Sequence, residues 1–163
     1  MSPNPHDLPL PQVGLTWGIR RSFIRYISGL PDGAHATFDG AYLGDGSYFT
    51  FPGADRTADR HSELAFRGIV RIAGHGGMLD VLIADPRIER NSGDPVLTIV
   101  DPARWPKRNH RLVLARLTPM DDAASTSGSS SERRWSAVLT ESGSAVFGGN
   151  YPSGTDLDPV IVR

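Results

Sequence analysis

Cysteine is absent from this 163-residue chain. That removes thiolate zinc sites, iron–sulfur clusters, disulfides and cysteine nucleophiles. It leaves the redox compartment open, because a chain without thiols suits either side of a membrane. An excess of charge is also missing: 17 Lys and Arg face 18 Asp and Glu, for a formal net charge of −1. A nucleic-acid binder needs a basic surplus to neutralise phosphates, and here the arginines are scattered, with no basic helix. No apolar run reaches the length of a membrane span. The amino terminus, MSPNPHDLPLPQ, has neither the basic region nor the apolar stretch of a signal peptide, which predicts a cytoplasmic chain. Catalytic signatures are lacking too. There is no GxSxG elbow, no phosphate-binding P-loop, no HExxH and no GxGxxG on a strand-to-helix turn. Asp85 and Asp158 each precede a proline and read as turn formers rather than an acid–base pair. The residues therefore argue against an enzyme more than for one.

What is present suits one soluble, globular domain: 39% hydrophobic and 21% charged residues, in a length with room for one core and little for two. Residues 1–13 are Pro-rich and polar and read as an extended arm before a single domain over 14–163. Thr16 and Gly29 mark the ends of a helix, with Ile19, Phe23, Tyr26 and Ile27 on its apolar face and Arg20, Arg21 and Arg25 largely opposite. Beyond Leu30 the periodicity shortens. His35 to Leu43 and Ser47 to Phe51 read as strands joined by Gly44-Asp45-Gly46. Residues 53–61 read as a loop. Further strands are expected over Glu63–Ala73, Met78–Ala84, Val96–Val100, Arg111–Thr118, Trp135–Leu139, Ser144–Phe147 and Pro159–Arg163. The run STSGSSS marks 121–133 as a flexible loop. No internal repeat is apparent. The fold class is mainly β: an antiparallel β-sandwich or open barrel with one short N-terminal α-helix.

Two segments carry chemistry. The helix, LTWGIRRSFIRYISGL, supplies Tyr26. The later stretch GHGGMLDVLIADPRI supplies His75, framed by glycines at a turn between strands. A phenol and an imidazole that meet across a fold can hold an oxygen-preferring metal, in particular the ferric iron of haem. Taken alone, each residue has a plainer explanation. Tyr26 suits a core tyrosine with a satisfied hydroxyl, and His75 a solvent-exposed turn histidine. Tyr151, in Asn150-Tyr151-Pro152-Ser153-Gly154, suits either a turn packed on proline or a porphyrin edge. Trp17, Tyr48, Phe49 and Phe51 suit apolar walls or simple core. Arg21 and Arg25, beside Tyr26, suit haem propionates or a solvated helix face. His35, His61 and His110 are rival histidines. The Asp59-Arg60-His61-Ser62-Glu63 run could gather a metal but reads as a polar loop.

Three blocks, LTWGIRRSFIRYI, FRGIVRIAGHGGMLDVLIADPRI and LTESGSAVFGGNYPSGTDLDPV, resemble the HtaA (haem-transport-associated) domain family of actinobacteria, in the family's order. Between them they span Leu15 to Val162. The resemblance implies an all-β domain with a short helix that binds ferric haem b. It implies Tyr26 as the axial ligand of the iron, His75 hydrogen-bonded to that tyrosine, and Tyr151 as a further family tyrosine. Trp17 and Arg25 join these as expected contacts of the cofactor. Family members are secreted or wall-anchored carriers that pass haem to other haem-carrying proteins. Such a protein is a carrier, transfer or storage protein, and two copies could share one haem as a homodimer. A haem-dependent enzyme, peroxidase-like or haem-degrading, and a haem-free β-sandwich interaction module are the alternatives.

Overall fold

The computed structural model describes residues 14–44, 46, 48–54, 62–120 and 132–163. The expected arm over 1–13, His61, Asp45 at the first hairpin, most of the 53–61 loop and residues 121–131 of the Ser-rich segment lie outside them. Twelve strands and two α-helices make up the described part. In chain order they are β1 (Gly14–Trp17), α1 (Arg21–Ser28), β2 (Ala34–Phe38), β3 (Tyr42–Leu43), β4 (Phe49–Pro52), β5 (Ser62–Ala65), β6 (Ile69–Gly74) and β7 (Leu79–Ala84). Then come β8 (Arg87–Asn91), β9 (Asp94–Val100), β10 (Arg111–Pro119), β11 (Arg133–Leu139), α2 (Glu141–Val146) and β12 (Asp156–Val162).

The strands form two sheets in a sandwich-like fold, as the short, turn-punctuated runs predict. The larger sheet has the order β3-β4-β1-β12-β11-β10-β9-β8-β5, and the smaller is β2-β6-β7. Every strand pairing is antiparallel. The core lies between the sheets. Trp17, Phe51, Leu97 and Leu114 come from the large sheet and Val70, Ile72, Val81 and Ile83 from the small one. Ile69, Leu82, Ala84 and Val100 form a second cluster with Trp105 against it.

Several local expectations change. Thr16 does not cap a helix. It lies in β1, where Leu15 and Trp17 alternate inward and pair with β4 and β12. At Gly18 a Cβ would sit 2.5 Å from an Asp158 carboxylate oxygen, so the Asp158 side chain packs close against the backbone there. Ile19, expected in the helix, reverses the chain with φ 61°, and α1 starts at Arg21. The expected strand over Glu63–Ala73 is two strands in different sheets. β5 pairs with β8, whereas β6 pairs with β2 and β7. Between them Gly68 (φ 126°) donates its N–H to the Asp85 carboxylate at 3.0 Å. The alternation of apolar residues runs on through this crossing and hides it. Ser144–Phe147 is not a strand. Thr140 caps a second helix, α2, accepting from the Gly143 N–H at 2.9 Å.

Candidate functional site

In α1 the sequence RSFIRYIS buries Phe23 and Ile27, a spacing of four that turns one face into the core. Tyr26, one residue before Ile27, falls at the margin of that face and is 52% exposed. The phenol is thus on the rim of the apolar face rather than within it. Opposite stands the β6–β7 hairpin, closed by the Gly74↔Leu79 pair. At its tip His75, Gly76 and Gly77 have φ of 53°, 64° and 91°. Glycine adopts such angles freely, whereas a histidine there carries strain of ~1 kcal/mol or more. That strained turn sets the imidazole against the helix. Tyr26 Oη and His75 Nε2 are 2.6 Å apart, in hydrogen-bond contact, with ring centroids 5.7 Å apart.

A cleft of about 600 Å³ opens at this pair, within the size range of small-molecule and cofactor pockets. One wall is Phe23 and Tyr26 of α1. Another is His75, Met78 and Leu79 of the hairpin, with Met78 91% exposed at the mouth. The third is the segment after α2, which contributes Gly148, Asn150 and Tyr151. Tyr151 packs edge-on against Phe23 and Phe147, at 5.9 and 6.0 Å between centroids. The Arg20 guanidinium lies 5.0 Å from its ring centroid. Gly148 and Gly149, with φ of 68° and 75°, and the Asn150 side chain donating to the Phe147 carbonyl at 2.9 Å shape that segment.

The structure therefore brings Tyr26, His75 and Tyr151 to one cleft, though they are far apart in sequence. It does not bring Trp17 or Arg25 there. Trp17 is fully buried in the core, where its indole N–H donates to the Asp158 carbonyl at 2.7 Å, because β1 is a central strand of the large sheet. Arg25 is exposed on α1 and does not line the cleft. The Arg21 guanidinium stacks over Tyr48 at 5.1 Å, and Phe49 and Phe51 are core. His35 packs edge-on against Phe49, and His110 is exposed beyond β9, its carbonyl accepting from the Asp101 N–H.

One residue at the site was missed by sequence reasoning. The Asp32 carboxylate accepts from the N–H groups of His75, at 3.2 Å, and Gly76, at 2.6 Å. The Gly76 N–H in particular, helped by that of His75, holds this carboxyl below the usual aspartate range. In the sequence Pro31-Asp32-Gly33 reads as a turn, and nothing local links it to a residue 43 positions on.

The arrangement is a cleft of mixed apolar and polar lining with an exposed phenol at its rim. Aromatic and aliphatic faces line it, and an accessible oxygen donor stands at the rim with an imidazole nitrogen beside it. Among the described residues no group of three or more His, Asp or Glu side chains could hold a metal ion by itself. Fold and cleft together define an antiparallel β-sandwich domain with a cleft between α1, the β6–β7 hairpin tip and the segment after α2. The HtaA family model (Htaa) matches residues 12–163, and the chain belongs to that family. The C-terminal domain of HtaA from Corynebacterium glutamicum is similar in structure, with 28% identity and a TM-score of 0.69 over 94% of this chain and 95% of that one. The N-terminal domain of the same protein has 25% identity and a TM-score of 0.68 over 93% and 95%. Heme binding protein HtaB from the same organism has 18% identity and a TM-score of 0.65 over 93% and 92%, a likeness of fold. No match was found among curated protein sequences.

Proposed function

We propose that this domain binds ferric haem b in the cleft and serves as a haem carrier, with the Tyr26 oxygen as axial ligand and His75 tuning it. The observation that carries the reading is the 2.6 Å contact between Tyr26 Oη and His75 Nε2 at the mouth of an apolar cleft, in a chain of the HtaA family. A solved relative of the same fold is a heme binding protein.

The ferric iron, when bound, supplies a hard positive centre that a phenolate oxygen suits. Tyr26 presents that oxygen at the surface, where a ligand can reach it without unfolding the helix. An ordinary phenol has a pKa near ~10, and a metal makes deprotonation possible at neutral pH. With Tyr26 holding the iron, an N–H at His75 Nε2 would hydrogen-bond to the phenolate oxygen, orienting the ring and steadying its charge. Phe23, Leu79 and Tyr151 offer apolar surface that excludes water from a macrocycle. An anionic oxygen donor favours the ferric over the ferrous state, which suits carrying haem rather than binding dioxygen.

Titration with hemin tests this. The wild-type chain is expected to give a stoichiometric shift of the Soret band. Tyr26→Ala and Tyr26→Phe should largely abolish it, and His75→Ala should shift the spectrum and weaken binding by about 10- to 100-fold, as loss of a ligand's hydrogen-bond partner does. An unchanged titration in Tyr26→Phe would overturn the reading.

A further inference from the structure

We infer that Asp32 is the positioning residue of this site: its carboxylate clamps the backbone of the His75 turn and so keeps the imidazole on the Tyr26 oxygen. The inference rests on the haem reading above, and adds to it a residue that touches neither the phenol nor the imidazole ring through its own hydrogen bonds.

The turn needs a clamp. Three successive residues, His75, Gly76 and Gly77, have positive φ. A Cβ placed on Gly76 or Gly77 would meet nothing within 4 Å, so side-chain packing does not support the tip. Successive N–H groups in such a conformation point into one concavity, which favours an anion. The Asp32 carboxylate is that anion, one oxygen on the His75 N–H and the other on the Gly76 N–H. These are charge-assisted bonds, roughly twice as strong as neutral ones. Across the tip the Met78 N–H donates to the His75 carbonyl at 3.1 Å.

Its place in the chain gives the clamp its effect. Asp32 lies four residues beyond the end of α1, the helix that carries Tyr26. The segment between is held close to that helix: the Leu30 N–H donates to the Ile27 carbonyl at 3.0 Å, and the Gly33 N–H to the Leu30 carbonyl at 3.2 Å. Tyr26 and His75 sit on separate elements, and their side-chain hydrogen bond is one link between them. Asp32 supplies a second, from the helix's own trailing segment to the backbone of the histidine. Without it the tip keeps its glycines but loses the contact that fixes the direction of the imidazole.

The test compares Asp32→Ala, Asp32→Asn and His75→Ala in the full chain. In the haem-free protein, NMR should show the Gly76 amide proton and the His75 ring nitrogens shifting in both Asp32 variants, with the rest of the spectrum retained. In the hemin-loaded protein, release to a scavenging apoprotein should quicken about tenfold or more in Asp32→Ala, matching His75→Ala. Asp32→Asn, which keeps an acceptor oxygen, should fall between. The double variant Asp32→Ala/His75→Ala should release hemin no faster than His75→Ala alone, because the two act as one unit. Wild-type release and an unmoved His75 ring in both Asp32 variants would overturn the inference. So would effects that multiply in the double variant. Should Asp32→Ala fail to fold, the Asn variant carries the same comparison. Failure of the haem reading itself would show elsewhere, as hemin binding that survives Tyr26→Phe.

Discussion

His75 holds a positive φ, uncommon for any residue but glycine, and the turn sets its ring in 2.6 Å contact with Tyr26. Asp32 holds that conformation by its carboxylate, whose pKa the Gly76 and His75 N–H groups lower. The sign of the resulting pH dependence follows. A carboxyl whose folded pKa lies below its unfolded value, near ~3.9, adds stability that is fully present above the unfolded value. That stability is lost as pH falls through the depressed folded value. The melting temperature of wild type should therefore exceed that of Asp32→Asn at neutral pH, and the gap should close in acid. Thermal melts of both proteins across that range check it. A gap that persists unchanged in strong acid would show that the charge is not what matters.

The second helix, α2, turns a stretch that reads as a hairpin into the base of the cleft's third wall. Thr140 does two jobs there. Its hydroxyl donates to the Val113 carbonyl at 2.6 Å and accepts from the Gly143 N–H at 2.9 Å. Glu141 in the first turn suits the positive end of the helix. Loss of such a cap costs about 1 kcal/mol, with a range of roughly 0.5–2. Thr140→Ala should lower stability by that amount in urea unfolding. It should also loosen the segment that places Tyr151, which a weaker hemin titration would register. Gly143 lets α2 press onto β10, since a Cβ there would lie 2.2 Å from the Leu114 carbonyl oxygen. The turn residues Glu141-Ser142-Gly143 suggest a hairpin with Ser144–Phe147 as its second strand, but they form the start of the helix, and Val146 and Phe147 are buried from that helix and its end.

Over the molecule as a whole, some aromatic residues are sealed in the core and others reach the cleft. Trp17 belongs to the core alone, on a strand flanked by β4 and β12, whereas Phe23, itself buried in the core, also lines the cleft with Tyr151. Trp17→Ala should cost about 3–5 kcal/mol, readable as a fall in the denaturation midpoint. The fraction that remains folded should bind hemin as wild type does. Lost affinity in the folded fraction would return Trp17 to the site. The two sheets also explain how residues 26, 75 and 151 converge. The chain leaves the large sheet after β5, runs through β6 and β7 of the small sheet, and re-enters the large one at β8. Their hairpin tip is thereby carried to α1, and the segment between α2 and β12 meets both.

Short apolar runs broken by Gly, Pro and Asp determine an antiparallel β protein, because period-two burial and turn chemistry are local properties. The same holds for α1, whose Phe23–Ile27 spacing is a four-residue periodicity, and for the glycine-framed turn around His75. The three long motifs point to the family, and with it to Tyr26 and His75, before any fold is known. Folding decided the rest. Burial of Trp17 and exposure of Arg25 depend on which sheet position and helix face the neighbours leave open. The split of β5 from β6 depends on a hydrogen bond between Gly68 and Asp85, 17 residues apart. The grip of Asp32 on residues 75 and 76 depends on a contact across more than forty. Pairings at such distances leave no periodic mark in a single chain, since each is set by where two otherwise independent turns come to rest.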